Sequence, residues 1–151
     1  TVLEGGIPFA RGLSSAISRH APDLQIQQAT IGLQSYEGTQ STGNVTVVSG
    51  DLAAADNKNV LVTEDIIETG TTMAWLVEAL RHAGAKSVEI AVLLHKNAVQ
   101  SVHAQTLGHT ALYVGFEIGP AFVIGYGLDY DGAYRDLPAI YERYSDAAMS
   151  S

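Results

Sequence analysis

The sequence predicts an α/β domain with a mostly parallel central sheet flanked by helices. Three observations predict it. Asn59-Val-Leu-Val-Thr63 is a short apolar run, as in a parallel strand buried on both faces. Met73, Leu76, Val77 and Leu80 follow at the spacing of one helical face, and Gly84 ends that helix. Ser87 to Leu94 is a further apolar run. Strand, helix and strand at this spacing fold as a crossover between parallel strands.

The other elements follow in order. Val2 and Leu3 read as the tail of a strand, and Gly5-Gly6 as a turn. Pro8 suits the first helical position, and Phe9, Leu13, Ala16, Ile17 and His20 recur at helical spacing until Pro22 stops the element. Residues 24–36 alternate loosely and predict a strand. Residues 37–44 are polar and glycine-containing, an exposed loop. Val45, Val47 and Val48 mark the next strand, and Gly50 to Lys58 a polar connection. Leu112 to Ile118, Ala121 to Ile124 and Ala139 to Tyr144 predict three more strands.

The chain has 151 residues, enough for one compact domain that buries roughly two thirds of its unfolded surface. Hydrophobic residues make up 46% and charged residues 16%, which excludes a disordered chain. Acids number 16 against 8 bases, a net charge of -8, so no basic field is present to hold nucleic acid by its phosphates. A small phosphate bound by backbone amides stays open, because net charge does not report it. No apolar run approaches the length of a membrane helix, and no signal peptide is visible. The absence of cysteine removes disulfides and thiolate chemistry and fits a reducing compartment, so a cytoplasmic location is expected. The chain opens on Thr1-Val2-Leu3 without methionine, and upstream residues are expected.

The strongest chemical signal is Val60-Leu-Val-Thr-Glu-Asp-Ile-Ile-Glu-Thr-Gly-Thr-Thr-Met73. An apolar strand ends in two acids, Glu64 and Asp65, and a threonine-rich turn leads into a helix. Ligands collect at the carboxyl ends of strands in open α/β sheets, and unsatisfied amides at a helix start suit a phosphate. Thr69, Thr71 and Thr72 add hydroxyl donors, and Gly70 allows close backbone approach. A plain helix cap at Thr69 or Thr71 is the alternative, and it leaves the two acids unexplained. The segment is not a P-loop, and no dinucleotide-binding glycine pattern is present.

The Glu-Asp-Ile-Ile-acid-Thr-Gly segment resembles the phosphoribosyl diphosphate signature of the type I phosphoribosyltransferases, most closely their hypoxanthine-guanine group. Further motifs join it. Leu33-Gln-Ser-Tyr36 with Gln40-Ser-Thr-Gly43 resembles that family's mobile loop, and Val88 to Lys96 its base-reading strand. Gly115 to Ile118, Phe122 to Tyr130 and Tyr134 to Leu137 resemble its hood and closing segment. The similarity runs from about Leu3 to Ile140. It implies one domain over residues 1–151, with a core of about 1–110 and a small hood and closing segment over about 111–144.

The resemblance implies transfer of a 5-phosphoribosyl group from its diphosphate to N9 of hypoxanthine or guanine, with magnesium neutralising the departing pyrophosphate. A homodimer or homotetramer is implied as well. Glu64 and Asp65 would hold the ribose hydroxyls, directly or through metal-bound water. Residues 68–72 (Glu68, Thr69, Gly70, Thr71 and Thr72) would cradle the 5′-phosphate. Lys96 would donate to the purine 6-oxo group, Phe122 stack on the purine, and the Val123 backbone read its edge. Asp129 falls where the family places a metal-side carboxylate beside the purine. Glu4, Gly5 and Arg135 would face pyrophosphate, while Ser35 and Tyr36 would introduce the closing loop.

Two positions depart from the family. Its acid/base aspartate is replaced by Glu68, which keeps the carboxylate but moves it by roughly 1 Å, a shift able to cost about 100-fold in rate. The usual lysine of the pyrophosphate loop is replaced by Glu4, expected to face outward or to enter a salt bridge. A xanthine-preferring enzyme and a weakly catalytic nucleotide- or donor-binding relative are the competing readings. None of the five histidines shows metal-ligand spacing.

Overall fold

The computed structural model describes residues 1–36, 44–96, 107, 110 and 112–143. The elements are β1 (Val2–Leu3), α1 (Gly6–His20), β2 (Ile31–Tyr36), β3 (Asn44–Ser49), β4 (Asn59–Ile67), α2 (Thr71–His82), β5 (Ser87–Lys96), β6 (Leu112–Ile118), β7 (Val123–Ile124) and β8 (Tyr141–Glu142). Strands β4, β5 and β6 form a wholly parallel sheet in that order. A second sheet has the order β1-β2-β3, with β1 parallel and β3 antiparallel to β2. Strand β1 lies beside β4, where the Thr63 hydroxyl donates to the Thr1 hydroxyl at 2.9 Å. The α/β class and the helices packed on β4 and β5 match the sequence reading.

The apolar periodicity explains the core. Met73, Leu76, Val77 and Leu80 of α2 are buried against Val62 of β4 and Val88, Ile90 and Val92 of β5. Helix α2 stops as its glycine demands. Gly84 adopts φ +93°, its N–H bonds the Arg81 carbonyl, and the Ala85 N–H bonds the Leu80 carbonyl. This paired arrangement satisfies carbonyls that the helix end leaves open.

Several element boundaries differ from the sequence reading. The strand expected over 24–36 begins only at Ile31, because pairing starts where Val2 meets Ile31. Leu24 and Ile26 upstream are exposed. Helix α1 begins at Gly6, so Pro8 is its third residue, still within the turn whose N–H groups have no helical partner. Strand β4 runs past Thr63 to Ile67, since β5 extends to Lys96 and supplies pairing up to Ile67 opposite His95. Glu64 and Asp65 therefore lie within the strand, not after it. The last two strands shrink to two residues each, paired antiparallel with Val123 opposite Glu142. The loop segment 37–43 and Tyr144 lie outside the described residues.

Candidate active site

The carboxyl end of β4 and the start of α2 line a cavity of about 290 Å³, bounded by Glu64, Asp65, Glu68, Thr69, Gly70 and Thr72 among others. Glu64 is only 9% exposed, and a carboxylate oxygen accepts the Asp65 N–H at 3.1 Å. Burial and then the adjacent Asp65 push its pKa up to about 9. Asp65 accepts the N–H of Ile66 at 2.9 Å, and its carboxylate fills the space a side chain at Gly5 would need. A larger residue at position 5 would require the Asp65 carboxylate to turn away.

The turn into α2 is shaped by Gly70, whose φ of +75° favours glycine. A Cβ there would also lie 3.1 Å from Leu107. Gly70 is the helix cap and brings no side-chain bond. The Thr69 hydroxyl takes up part of that role, accepting the Thr71 N–H at 3.4 Å and meeting the Thr71 hydroxyl at 3.1 Å. The capping alternative thus accounts for one amide of the turn. It does not account for the two acids on the cavity wall.

Glu68 follows β4, Lys96 ends the neighbouring β5, and the register sets Ile67 opposite His95. This brings the Lys96 ammonium and the Glu68 carboxylate into a direct ion pair. The Lys96 side chain is 12% exposed and that of Glu68 54% exposed. Lys96 and Glu68, 28 residues apart in sequence, therefore form one donor-acceptor unit.

A second cluster joins the two ends of the chain. Arg135 donates to the Gly127 carbonyl at 2.7 Å, sits 2.9 Å from Asp129, and lies 3.7 Å from Glu4. Asp129 also accepts the Gly132 N–H at 2.8 Å. Its carboxylate thus holds Arg135 and a turn, and it is not gathered with Glu64 and Asp65. Among the described residues no three histidines or acids form a metal cluster. Glu64 and Asp65 on β4, and Asp129 apart from them in the closing segment, are the carboxylates the resemblance puts on the metal side. Glu64 and Asp65 by themselves fit magnesium, which takes hard oxygen donors and commonly uses one or two carboxylates with water and substrate phosphates.

Just before β7, Phe122 is 46% exposed and meets Tyr130 edge-on, with ring centroids 5.7 Å apart. Arg143 lies over the Tyr130 ring at 3.9 Å, and its N–H bonds the Phe122 carbonyl at 2.8 Å. Val123 packs in a cluster with Leu93, Leu94, Ile66 and Ile118, which anchors β7 on the ends of β4, β5 and β6. Ser35 and Tyr36 pair through their backbones with Val45 and Asn44 at the end of β2.

Sequence reasoning missed the role of Gly127 and the reason for Gly5. Gly127 has φ +102°, and a Cβ there would collide with the Gly5 carbonyl and approach Pro8 to 3.0 Å. The Tyr126 hydroxyl reaches the Pro8 carbonyl at 3.5 Å. The first turn and the closing segment are in direct contact, although some 120 residues separate them. The alternation Gly125-Tyr-Gly127 in an otherwise apolar stretch was the available signal.

A family model for the phosphoribosyl transferase domain matches residues 1–131. The hypoxanthine-guanine phosphoribosyltransferase of Homo sapiens is 42% identical over 142 residues, covering 90% of this chain and 62% of the human protein. The bifunctional protein TilS/HprT of Listeria monocytogenes is 38% identical over 140 residues, 92% of this chain and 20% of that protein. This chain spans less than two thirds of either relative. A solved hypoxanthine phosphoribosyltransferase mutant from Trypanosoma cruzi, in a ternary substrates complex, superposes with a TM-score of 0.84 at 32% identity. That match covers 97% of this chain and 75% of the other. With the parallel sheet, the threonine-rich turn and these likenesses together, the chain belongs to the phosphoribosyltransferase family, in its hypoxanthine-guanine group.

Proposed function

We propose that this protein is a purine-salvage phosphoribosyltransferase that converts hypoxanthine or guanine and 5-phospho-α-D-ribose 1-diphosphate into IMP or GMP and pyrophosphate. The observation that carries the reading is the Lys96–Glu68 pair at the ends of adjacent parallel strands, beside the cavity of Glu64 and Asp65. A 6-oxopurine presents its oxygen and N7 on one edge. A lysine donor and a carboxylate acceptor side by side match that edge when N7 carries a proton. Adenine presents an amino group in place of the oxygen, a donor facing a donor.

In the reaction the bond from C1′ of the ribose to N9 forms as the bond to the diphosphate oxygen breaks. The electron pair of that bond leaves with pyrophosphate. Glu68 takes the N7 proton, so the base enters as a better nucleophile and leaves neutral. Lys96 holds the 6-oxo oxygen and fixes the orientation of the ring. Glu64 and Asp65 hold the ribose hydroxyls and offset the positive charge that develops at C1′. The amides and hydroxyls of Thr69, Gly70, Thr71 and Thr72 bind the 5′-phosphate at the start of α2. Phe122 covers the purine, Val123 reads it through its backbone, and Arg135 with the Gly5 loop meets the pyrophosphate end. Glu64 and Asp65, with Asp129 from the closing segment, would hold magnesium, which would supply positive charge against the departing pyrophosphate.

The net charge of -8 supports small-molecule substrates over nucleic acid. No helix among the described residues is long and apolar enough to cross a membrane. A cytoplasmic homodimer or homotetramer completes the reading, supported by the family resemblance. The test is turnover of hypoxanthine, guanine, xanthine and adenine with the donor and magnesium. Hypoxanthine and guanine are expected to react, with adenine lower by roughly 5- to 150-fold for an unpaired buried donor. Adenine equal to hypoxanthine refutes the reading of Lys96. No product from any base refutes the enzyme.

A further inference from the structure

We propose that Glu4 sets the affinity for the diphosphate end of the donor, by competing with it for Arg135 and so favouring pyrophosphate release. The inference deepens the reading of Arg135 as the residue that meets pyrophosphate, and it rests on that reading. All three guanidinium nitrogens of Arg135 face protein acceptors. Nη1 donates to the Gly127 carbonyl at 2.7 Å, Nη2 lies 2.9 Å from an Asp129 oxygen, and Nε lies 3.7 Å from Glu4 Oε2. Two carboxylates thus share one cation, and the cluster carries a net negative charge.

The three partners differ in how firmly they are held. The Gly127 carbonyl belongs to a buried turn pressed against Gly5. Asp129 is tied to the Gly132 N–H as well as to Arg135. Glu4 has a side chain 72% exposed, and its distance to Nε is too long for a hydrogen bond. An exposed ion pair of this kind is worth little. An incoming diphosphate therefore displaces Glu4 and leaves the other two in place.

The experiment is calorimetry of inorganic pyrophosphate with magnesium on the parent, Glu4→Gln, Glu4→Asp, Arg135→Ala and the Glu4→Gln/Arg135→Ala pair, each checked for an unchanged far-ultraviolet spectrum. Glu4→Gln is expected to bind about fivefold tighter, as one unit charge near a surface site allows, with Glu4→Asp close to the parent. The gain should shrink at high salt and vanish in the Arg135→Ala background. In steady state, the KM for the donor should fall in Glu4→Gln while kcat does not rise. Unchanged or weaker pyrophosphate binding in Glu4→Gln overturns the proposal. So does a gain that survives Arg135→Ala, since the effect would not pass through the arginine. Equal binding by the parent and Arg135→Ala instead overturns the assignment of Arg135, and the role of Glu4 falls with it.

Discussion

In the proposed reaction Glu68 takes the N7 proton, and its position carries two demands. It must reach the purine N7, and it must leave Lys96 free to meet the oxygen next to it. Their contact shows that the register of β4 and β5 sets the two groups side by side, so a purine edge meets both only by opening the pair. Glu68→Gln keeps the size and a hydrogen bond but cannot exchange a proton. It is expected to lower turnover by about 100- to 10,000-fold, the usual contribution of a general acid or base. Donor affinity should stay close to that of the parent, which calorimetry checks. Glu68→Asp should retain more activity than the glutamine variant, since it restores the shorter side chain the family uses. A glutamine variant within about threefold of the parent, with chemistry shown to limit the rate, would remove Glu68 from the reaction. Lys96→Ala tests the other half of the pair: hypoxanthine and adenine should then differ far less in kcat/KM than they do in the parent.

At the scale of elements, the close approach of Gly5 to Asp65 and of Gly127 to Gly5 ties the first turn to β4 and to the closing segment. Gly127→Ala has nowhere to put a methyl group and a backbone that alanine rarely adopts. A loss of about 1–3 kcal/mol is expected, read by urea denaturation. Gly132→Ala is the comparison, with φ +78° but nothing within 4 Å of its Cβ, and should lose less. Leu76→Ala, in the middle of the buried face of α2, should cost about 2–5 kcal/mol. This contrast also explains what was legible in the sequence. The buried face of α2 and the strands β4 and β5 could be read, because helical period and apolar runs are local properties. The Glu64-Asp65 signature was legible for the same reason. The extension of β4 to Ile67 was not, because a strand runs as far as its partner allows and the partner lies some 30 residues away. Residues 24–30 carry a strand-like alternation without a paired neighbour, so the pattern alone overstated β2. Glu4 and Arg135 could each be singled out, but their meeting depends on the contact of two turns at opposite ends of the chain.

For the molecule as a whole, the acidic balance and the buried Glu64 link stability to pH and metal. Folding takes Glu64 from an ordinary carboxylate, near 4.5, to a site where burial and Asp65 raise its pKa to about 9. Between those values the folded state holds a proton that the unfolded chain releases. Stability from this group is therefore complete below about pH 4.5 and declines as pH rises toward 9. The direction is opposite to that of a carboxylate held by a salt bridge. In metal-free buffer, the melting temperature of the parent is expected to fall from pH 5 to pH 9 more steeply than that of Glu64→Gln, which has no proton to lose there. Subtracting the two profiles isolates Glu64 from the other titrating groups. Parallel profiles would show that the burial of Glu64 has no energetic consequence. Magnesium with the phosphoribosyl donor should then stabilise the parent more at pH 8 than at pH 6, because a cation favours the charged carboxylate that burial disfavours. The glutamine variant should lose most of that pH dependence. A stabilisation equal at both pH values in the parent would separate Glu64 from the metal and leave Asp65 as its protein-side ligand.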